Sequence, residues 1–255
     1  SYKLNPLLAL IGIFAIALGA GASGVLNQWY DRDIDKLMDR TKDRPIPQGK
    51  ILPSDALAFG VITSILSIMI LGLSVNWIAA SLLGFTIIFY AIVYTIWLKR
   101  YTVQNIVIGG AAGAFPPVIG QVCASGTIGF ESLILFLIIF VWTPPHFWAL
   151  ALIKKDDYAA AKIPMLPIIA GEKITRKNIF IYSLLLIPCS YLPWIFDFSG
   201  NFYLIITTIF GIEFLRRSFL ILKEVEGSEK NLFLYSIFYL SVIFAGVCLD
   251  KIINL

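Results

Sequence analysis

Long apolar runs leave this chain few ways to fold. From Pro6 to Trp29 no Asp, Glu, Lys or Arg interrupts the sequence, and comparable runs recur towards the C-terminus. Each approaches the roughly 20 residues that a helix needs to cross the hydrocarbon core of a bilayer. Backbone in lipid must satisfy its own hydrogen bonds, so such runs fold as helices packed in a bundle. Spans are expected near 6–29, 55–73, 77–97, 103–122, 131–153, 178–196, 202–221 and 232–250. The fold class implied is all-α, a polytopic transmembrane helical bundle of eight spans forming one integral-membrane domain over 1–255.

The basic residues give this bundle an orientation. Of the 20 Lys and Arg, all but Lys3 and Lys251 fall in the connections after the first, third, fifth and seventh spans or, for Arg216 and Arg217, in the last turns of the seventh. The connections 73–76 and 121–130 carry none. This alternation follows the positive-inside rule and turns the charged loops towards the cytoplasm or the mitochondrial matrix. The formal charge of +4 is therefore a matter of topology, and no nucleic-acid partner is expected. Cys123, Cys189 and Cys248 are isolated in apolar context with no C-x-x-C spacing, so they read as packing residues. No cleavable signal peptide is evident, because the first apolar run is long enough to span.

The end of that first run carries the most unusual chemistry. Asn27, Asp31, Asp35 and Asp39 recur every four residues, which on a helix would align them on one face. A row of carboxylates repels itself unless a cation sits on it. Hard oxygen ligands suit Mg²⁺, which is commonly held by one or two carboxylates together with substrate phosphates. The alternative is a solvated charged turn neutralised by Arg32, Lys36, Arg40 and Lys42. Pro45 and Pro47 turn the chain and can return Arg44 to the carboxylates.

Two further loops on the same side add Lys99 and Arg100, then Asp156 and Asp157 within Lys154-Lys-Asp-Asp-Tyr158. Carboxylates facing Lys and Arg suit a diphosphate and its metal ions. Lys99 and Arg100 serve equally well as topology-setting charge. His146, the sole histidine, follows Pro144 and Pro145 inside the fifth span. An ionisable group there is costly and points to function, although it could also bond a carbonyl freed by the prolines. As a functional group, its imidazole would bind iron or contact an acidic group of a substrate. Gly109 and Gly113 have G-x-x-x-G spacing, which favours close helix packing over ligand contact.

Together these residues resemble the UbiA superfamily of intramembrane prenyltransferases. Its first motif, N-x-x-x-D-x-x-x-D, is met by Asn27, Asp31 and Asp35. The haem-farnesylating branch is the nearest likeness, through NQWYDRDID (27–35), YTIWLKR (94–100), NIVIGGAAGAFPPVIG (105–120), WTPPHFWALAL (142–152) and DDYAAAKIPMLP (156–167). The last third matches mainly in hydropathy. The resemblance implies nine spans, so the first is expected to be missing from a chain truncated at its N-terminus. The second motif, D-x-x-x-D, is replaced by KKDDY, and Lys162 stands where that branch usually has Gly, implying a stiffer loop.

The implied reaction is transfer of farnesyl from farnesyl diphosphate to the vinyl group of haem B, giving haem O on the way to haem A and terminal-oxidase cofactors. The implied catalytic set is Asn27, Asp31, Asp35, Asp156 and Asp157 at the cytoplasmic face. Mg²⁺ would be held by Asn27, Asp31 and Asp35, and a second ion by Asp157. Arg44, Lys99 and Arg100 would bind the diphosphate and His146 the acceptor. Implied partners are membrane lipid and a haem A synthase or oxidase assembly factors, in a bacterial or mitochondrial inner membrane. Two alternatives stand beside this: an aromatic quinone-precursor acceptor, and a polytopic transporter. A transporter predicts ionisable groups near the midplane at a repeat interface, and no repeat is visible.

Overall fold

The computed structural model describes residues 5–253, and every regular element in it is helical. Lys3, one of the two exceptions to the charge pattern, lies outside the described residues. The order is α1 (Pro6–Tyr30), α2 (Arg32–Asp35), α3 (Pro53–Ser74), α4 (Trp77–Ile88), a π-helix (Phe89–Leu98), α5 (Lys99–Tyr101), α6 (Asn105–Ala114) and α7 (Pro116–Ser125). Then follow α8 (Phe130–Ile153), α9 (Lys155–Ala160), α10 (Leu166–Ile169), α11 (Glu172–Ile195), α12 (Asn201–Leu222) and α13 (Ser228–Ile253).

Local chemistry sets these boundaries. α1 and α3 begin with proline at their first position, where the missing N–H costs nothing. Asn5 and Asn76 cap α1 and α4 by accepting from the Leu7 and Ala79 amides at 2.9 and 2.8 Å. Pro116 separates α6 from α7, and Gly126, at φ +76°, ends α7 in the left-handed conformation.

Among the described residues seven helices are long and apolar enough to cross a membrane: α1, α3, α4 with its π-helical and α5 continuation, α6–α7, α8, α11 and α13. The eighth expected span exists as the helix α12, but its second half carries Glu213, Arg216 and Arg217. Those charges set it apart from the other seven.

The chain forms two compact units, one of residues 1–133 with 156–164, the other of 134–155 with 165–255. In the first, α1 packs along α3, and a core forms around Ala15, Leu71, Ala79, Leu83, Ile119 and Val122. In the second, α12 packs between α11 and α13. There the Tyr203 and Tyr239 hydroxyls donate to the Ser190 carbonyl and hydroxyl at 2.8 and 2.9 Å. Asp250 of α13 accepts from the Gly200 and Tyr203 amides, closing the start of α12.

Candidate active site

The acidic row does not lie on one continuous helix. α1 stops at Tyr30, yet the Asp31 amide still reaches the Asn27 carbonyl at 2.9 Å and the Asp35 amide reaches Asp31 at 2.8 Å. Helical spacing thus persists through α2 and keeps Asn27, Asp31 and Asp35 on one buried face. It fails at Lys36–Met38, and Asp39 turns out to solvent, 74% exposed and paired with Lys42 at 2.6 Å. The expected row of four is a buried set of three.

Asp31 and Asp35 are 0% and 2% exposed, so each needs a cation. Lys99 donates to Asp31 Oδ2, and Arg100 Nη2 donates to Asp31 Oδ1 at 3.2 Å. Arg44 Nη1 donates to Asp35 Oδ2 at 2.7 Å, so the Pro45–Pro47 turn does return it to the carboxylates. Thr41 fixes that turn by donating to the Asp35 carbonyl at 3.0 Å. Arg100 also forks onto Asp33 at 2.8 and 2.7 Å and stacks over the Tyr30 ring. That guanidinium holds the Asp33 carboxyl below the usual carboxylate range.

Residues that the sequence did not single out complete the cluster. The Asn27 amide donates to Asp31 Oδ2 at 2.9 Å and to Thr95 Oγ1 at 3.1 Å. Thr95 is fully buried and donates onwards to the Tyr90 carbonyl five residues back, at 2.9 Å. That bond spans the wide turn of the π-helix, a departure common at functional sites. Tyr94 of the same segment lies against Gly109, where a Cβ would clash with the ring. Gly109 is thus a packing glycine. Gly113 meets nothing within 4 Å and lines a cavity.

The second acidic pair divides. Asp156 is exposed, whereas Asp157 Oδ2 is buried with no hydrogen-bond partner. Beside Asp157, the phenol of Tyr158 is buried and bonded by Arg40; burial pushes it up and Arg40 pulls it down. Lys42 is also close enough to feel the Asp157 charge. Lys162 adopts φ +53°, the left-handed region that suits Gly, which explains in backbone terms why a glycine belongs there.

Among the described residues no three His, Cys, Asp or Glu side chains converge into a ready-made metal cage. The donors nevertheless fit Mg²⁺, which needs few protein ligands when phosphates supply the rest. The orphaned Asp157 oxygen is the kind of atom that a cation would satisfy.

Below Asn27 the first unit holds an apolar cavity of about 210 Å³, with Ser23, Tyr90 and Gly113 on its walls. In the second unit, His146 is sandwiched between Trp142 and Phe233, with ring centroids 4.3 and 4.7 Å away. Its Nδ1 lies 2.7 Å from Ser236 Oγ, whose own proton goes to the Phe233 carbonyl at 2.7 Å. Ser236 therefore accepts from Nδ1–H, which leaves Nε2 with the lone pair. Among the described residues the hydrogen-bond partner of His146 comes from α13, where the sequence also allowed a carbonyl freed by Pro144 and Pro145.

Buried carboxylates under cations, set over an apolar cavity, agree with the match of residues 2–243 to the UbiA prenyltransferase family. The chain belongs to the UbiA prenyltransferase family. It is 52% identical over 256 residues to Protoheme IX farnesyltransferase 2 of Mesorhizobium japonicum, covering 98% of this chain and 82% of that protein. It is 53% identical over 254 residues to Protoheme IX farnesyltransferase of Brucella ovis, covering 98% and 81%. In fold it resembles a digeranylgeranylglyceryl phosphate synthase at a TM-score of 0.81 and 22% identity, over 97% of this chain and 87% of the other. A UbiA homolog from Archaeoglobus fulgidus bound to DMAPP and Mg²⁺ matches at a TM-score of 0.74 and 16% identity, over 97% and 90%. These UbiA likenesses bear on the architecture, and the farnesyltransferase relatives on the activity.

Proposed function

We propose that this UbiA enzyme transfers a farnesyl group from farnesyl diphosphate to the vinyl group of haem B, giving haem O. One observation carries the reading: Asp31 and Asp35 are buried under Lys99, Arg100 and Arg44 just past the end of α1, the helix whose Ser23 and Gly24 wall an apolar cavity. The relatives named Protoheme IX farnesyltransferase supply the donor and the acceptor.

Asn27, Asp31 and Asp35 would hold one Mg²⁺ and Asp157 a second, and the ions would supply charge neutralisation for the departing diphosphate. Lys99, Arg100 and Arg44 already converge on these carboxylates and exchange part of that pairing for phosphate oxygens when substrate binds. Thr95 fixes the Asn27 amide, so one oxygen of the set stays aimed without rearrangement. The cavity walls receive the isoprenoid and keep water from the developing allylic cation. His146, with Nδ1–H held by Ser236, offers its Nε2 lone pair to haem iron; contact with a propionate is the alternative. The positive-inside pattern supports loops facing the cytoplasm, with the enzyme in a bacterial inner membrane.

The test is incubation of purified protein with haem B, farnesyl diphosphate and Mg²⁺. A farnesylated haem that disappears on chelation is expected, and its absence with all three present would overturn the assignment. In the same preparation, His146→Ala should shift the spectrum of bound haem while leaving farnesyl diphosphate affinity near normal. An unchanged spectrum in folded protein rejects the iron-ligand role.

A further inference from the structure

Away from the carboxylates the cavity runs into packed core, and the residues that bound it there are identifiable. Its wall on α1 descends from Ser23 and Gly24 to Ile16; on α4 it ends at Leu83, and on α7 at Ile119. Leu83 and Ile119 belong at the same time to the packed core of the first unit, and Ile16 packs against that core. A residue shared between a cavity and a core is a boundary, because space lies on one side and closely packed atoms on the other.

Below these three the helices converge. A Cβ on Gly12 would touch Cys123 Sγ at 3.6 Å, which brings α1 against α7. Asn76 Nδ2 donates to the Val122 carbonyl at 2.9 Å, tying the start of α4 to α7. Ala15, Ala79 and Ala80, all 0% exposed, fill the remaining space.

We infer that Ile16, Leu83 and Ile119 form a floor that sets the length of isoprenoid accepted. The inference rests on the prenyl diphosphate reading and deepens it. From Asn27 to Ile16 the rise along α1 is roughly 16 Å at 1.5 Å per residue. That is the scale of an extended farnesyl chain whose first carbon lies level with Asn27, with its diphosphate one turn beyond at Asp31. A geranylgeranyl chain, longer by one isoprene unit, would have to displace Ile16 and the core beneath it. A geranyl chain leaves the floor untouched and forfeits that contact. Gly113 supplies the complementary handle, since open space surrounds the position its Cβ would take. A large side chain there enters the cavity above the floor, and replacing glycine within α6 favours the helix.

The experiment measures Mg²⁺-dependent binding of geranyl, farnesyl and geranylgeranyl diphosphates to the purified protein in detergent. Wild type, Ile16→Ala and Gly113→Leu are compared. Binding is the readout, so failure of haem prenylation leaves this test intact, and failure of this test leaves haem prenylation intact. The wild type should prefer farnesyl. Ile16→Ala should move the geranylgeranyl-to-farnesyl affinity ratio upwards by about tenfold, the usual scale of discrimination by an apolar pocket. Gly113→Leu should move the preference towards geranyl by a similar factor, and it carries the test alone if the alanine variant fails to fold. An unchanged length order in folded Gly113→Leu, or a wild type indifferent to length, overturns the ruler.

Discussion

Asp31 and Asp35 differ from Asp39 in burial, and their substitution should separate accordingly. Asparagine at 31 or 35 keeps the shape but removes a charge that two arginines and a lysine are placed to share. Each variant should lose about 100-fold or more in turnover, the scale for removing a preorganised electrostatic group. Asp39→Asn alters a solvent-facing pair with Lys42 and should change turnover by less than about threefold. Comparable losses at all three positions would mean that the row acts as bulk charge. A second residue-scale prediction concerns Lys162, exposed at φ +53°. Left-handed backbone costs a side-chain-bearing residue about 1–2 kcal/mol, and glycine returns part of that gain through its freer unfolded state. Lys162→Gly should therefore stabilise the protein by up to about 1 kcal/mol, read as a higher melting temperature in detergent. A lower melting temperature would show that the lysine makes a compensating contact.

At the scale of elements, what the sequence displays is the apolar run, and what it hides is the turn width. The spans were legible because uninterrupted hydrophobicity has one outcome in lipid. The π-helix was not, since Phe89–Leu98 is as apolar as any α-helical span and its extra residue is settled by tertiary bonds. Thr95 makes those bonds, to Asn27 across 68 positions and to Tyr90 within the turn. The pairing of Lys99 with Asp31, and of His146 with Ser236, is equally long-range and leaves no local pattern. By contrast the N-x-x-x-D-x-x-x-D spacing foretold the buried three, because the i to i+4 bonds continue past the end of α1. Its extension to Asp39 failed where those bonds stop. Thr95→Val should unlatch Asn27 and lower turnover by about tenfold, with a raised Mg²⁺ requirement. Thr95→Ser keeps the hydroxyl and should restore most of the activity. If valine and serine behave alike, volume matters at this position and the hydroxyl does not.

Across the whole molecule, the charge pattern makes a claim that the helices alone cannot. A bundle inserted either way up would bury the same apolar surface, so orientation rests on the Lys and Arg of alternate loops. Function raises the stakes, because the same loops carry the carboxylates and the cations proposed to meet the diphosphate. Single cysteines in a background with Cys123, Cys189 and Cys248 replaced by serine read this directly. Gln48, between α2 and α3, and Thr127, between α7 and α8, are both exposed, and the helical path separates them by an odd number of spans. In intact cells an impermeant maleimide should leave Gln48→Cys unmodified and react with Thr127→Cys; opening the cells should make Gln48→Cys reactive. The reverse pattern would turn the carboxylate cluster to the outer face, away from a cytoplasmic supply of diphosphate, and would overturn the charge argument together with the proposed route of the donor.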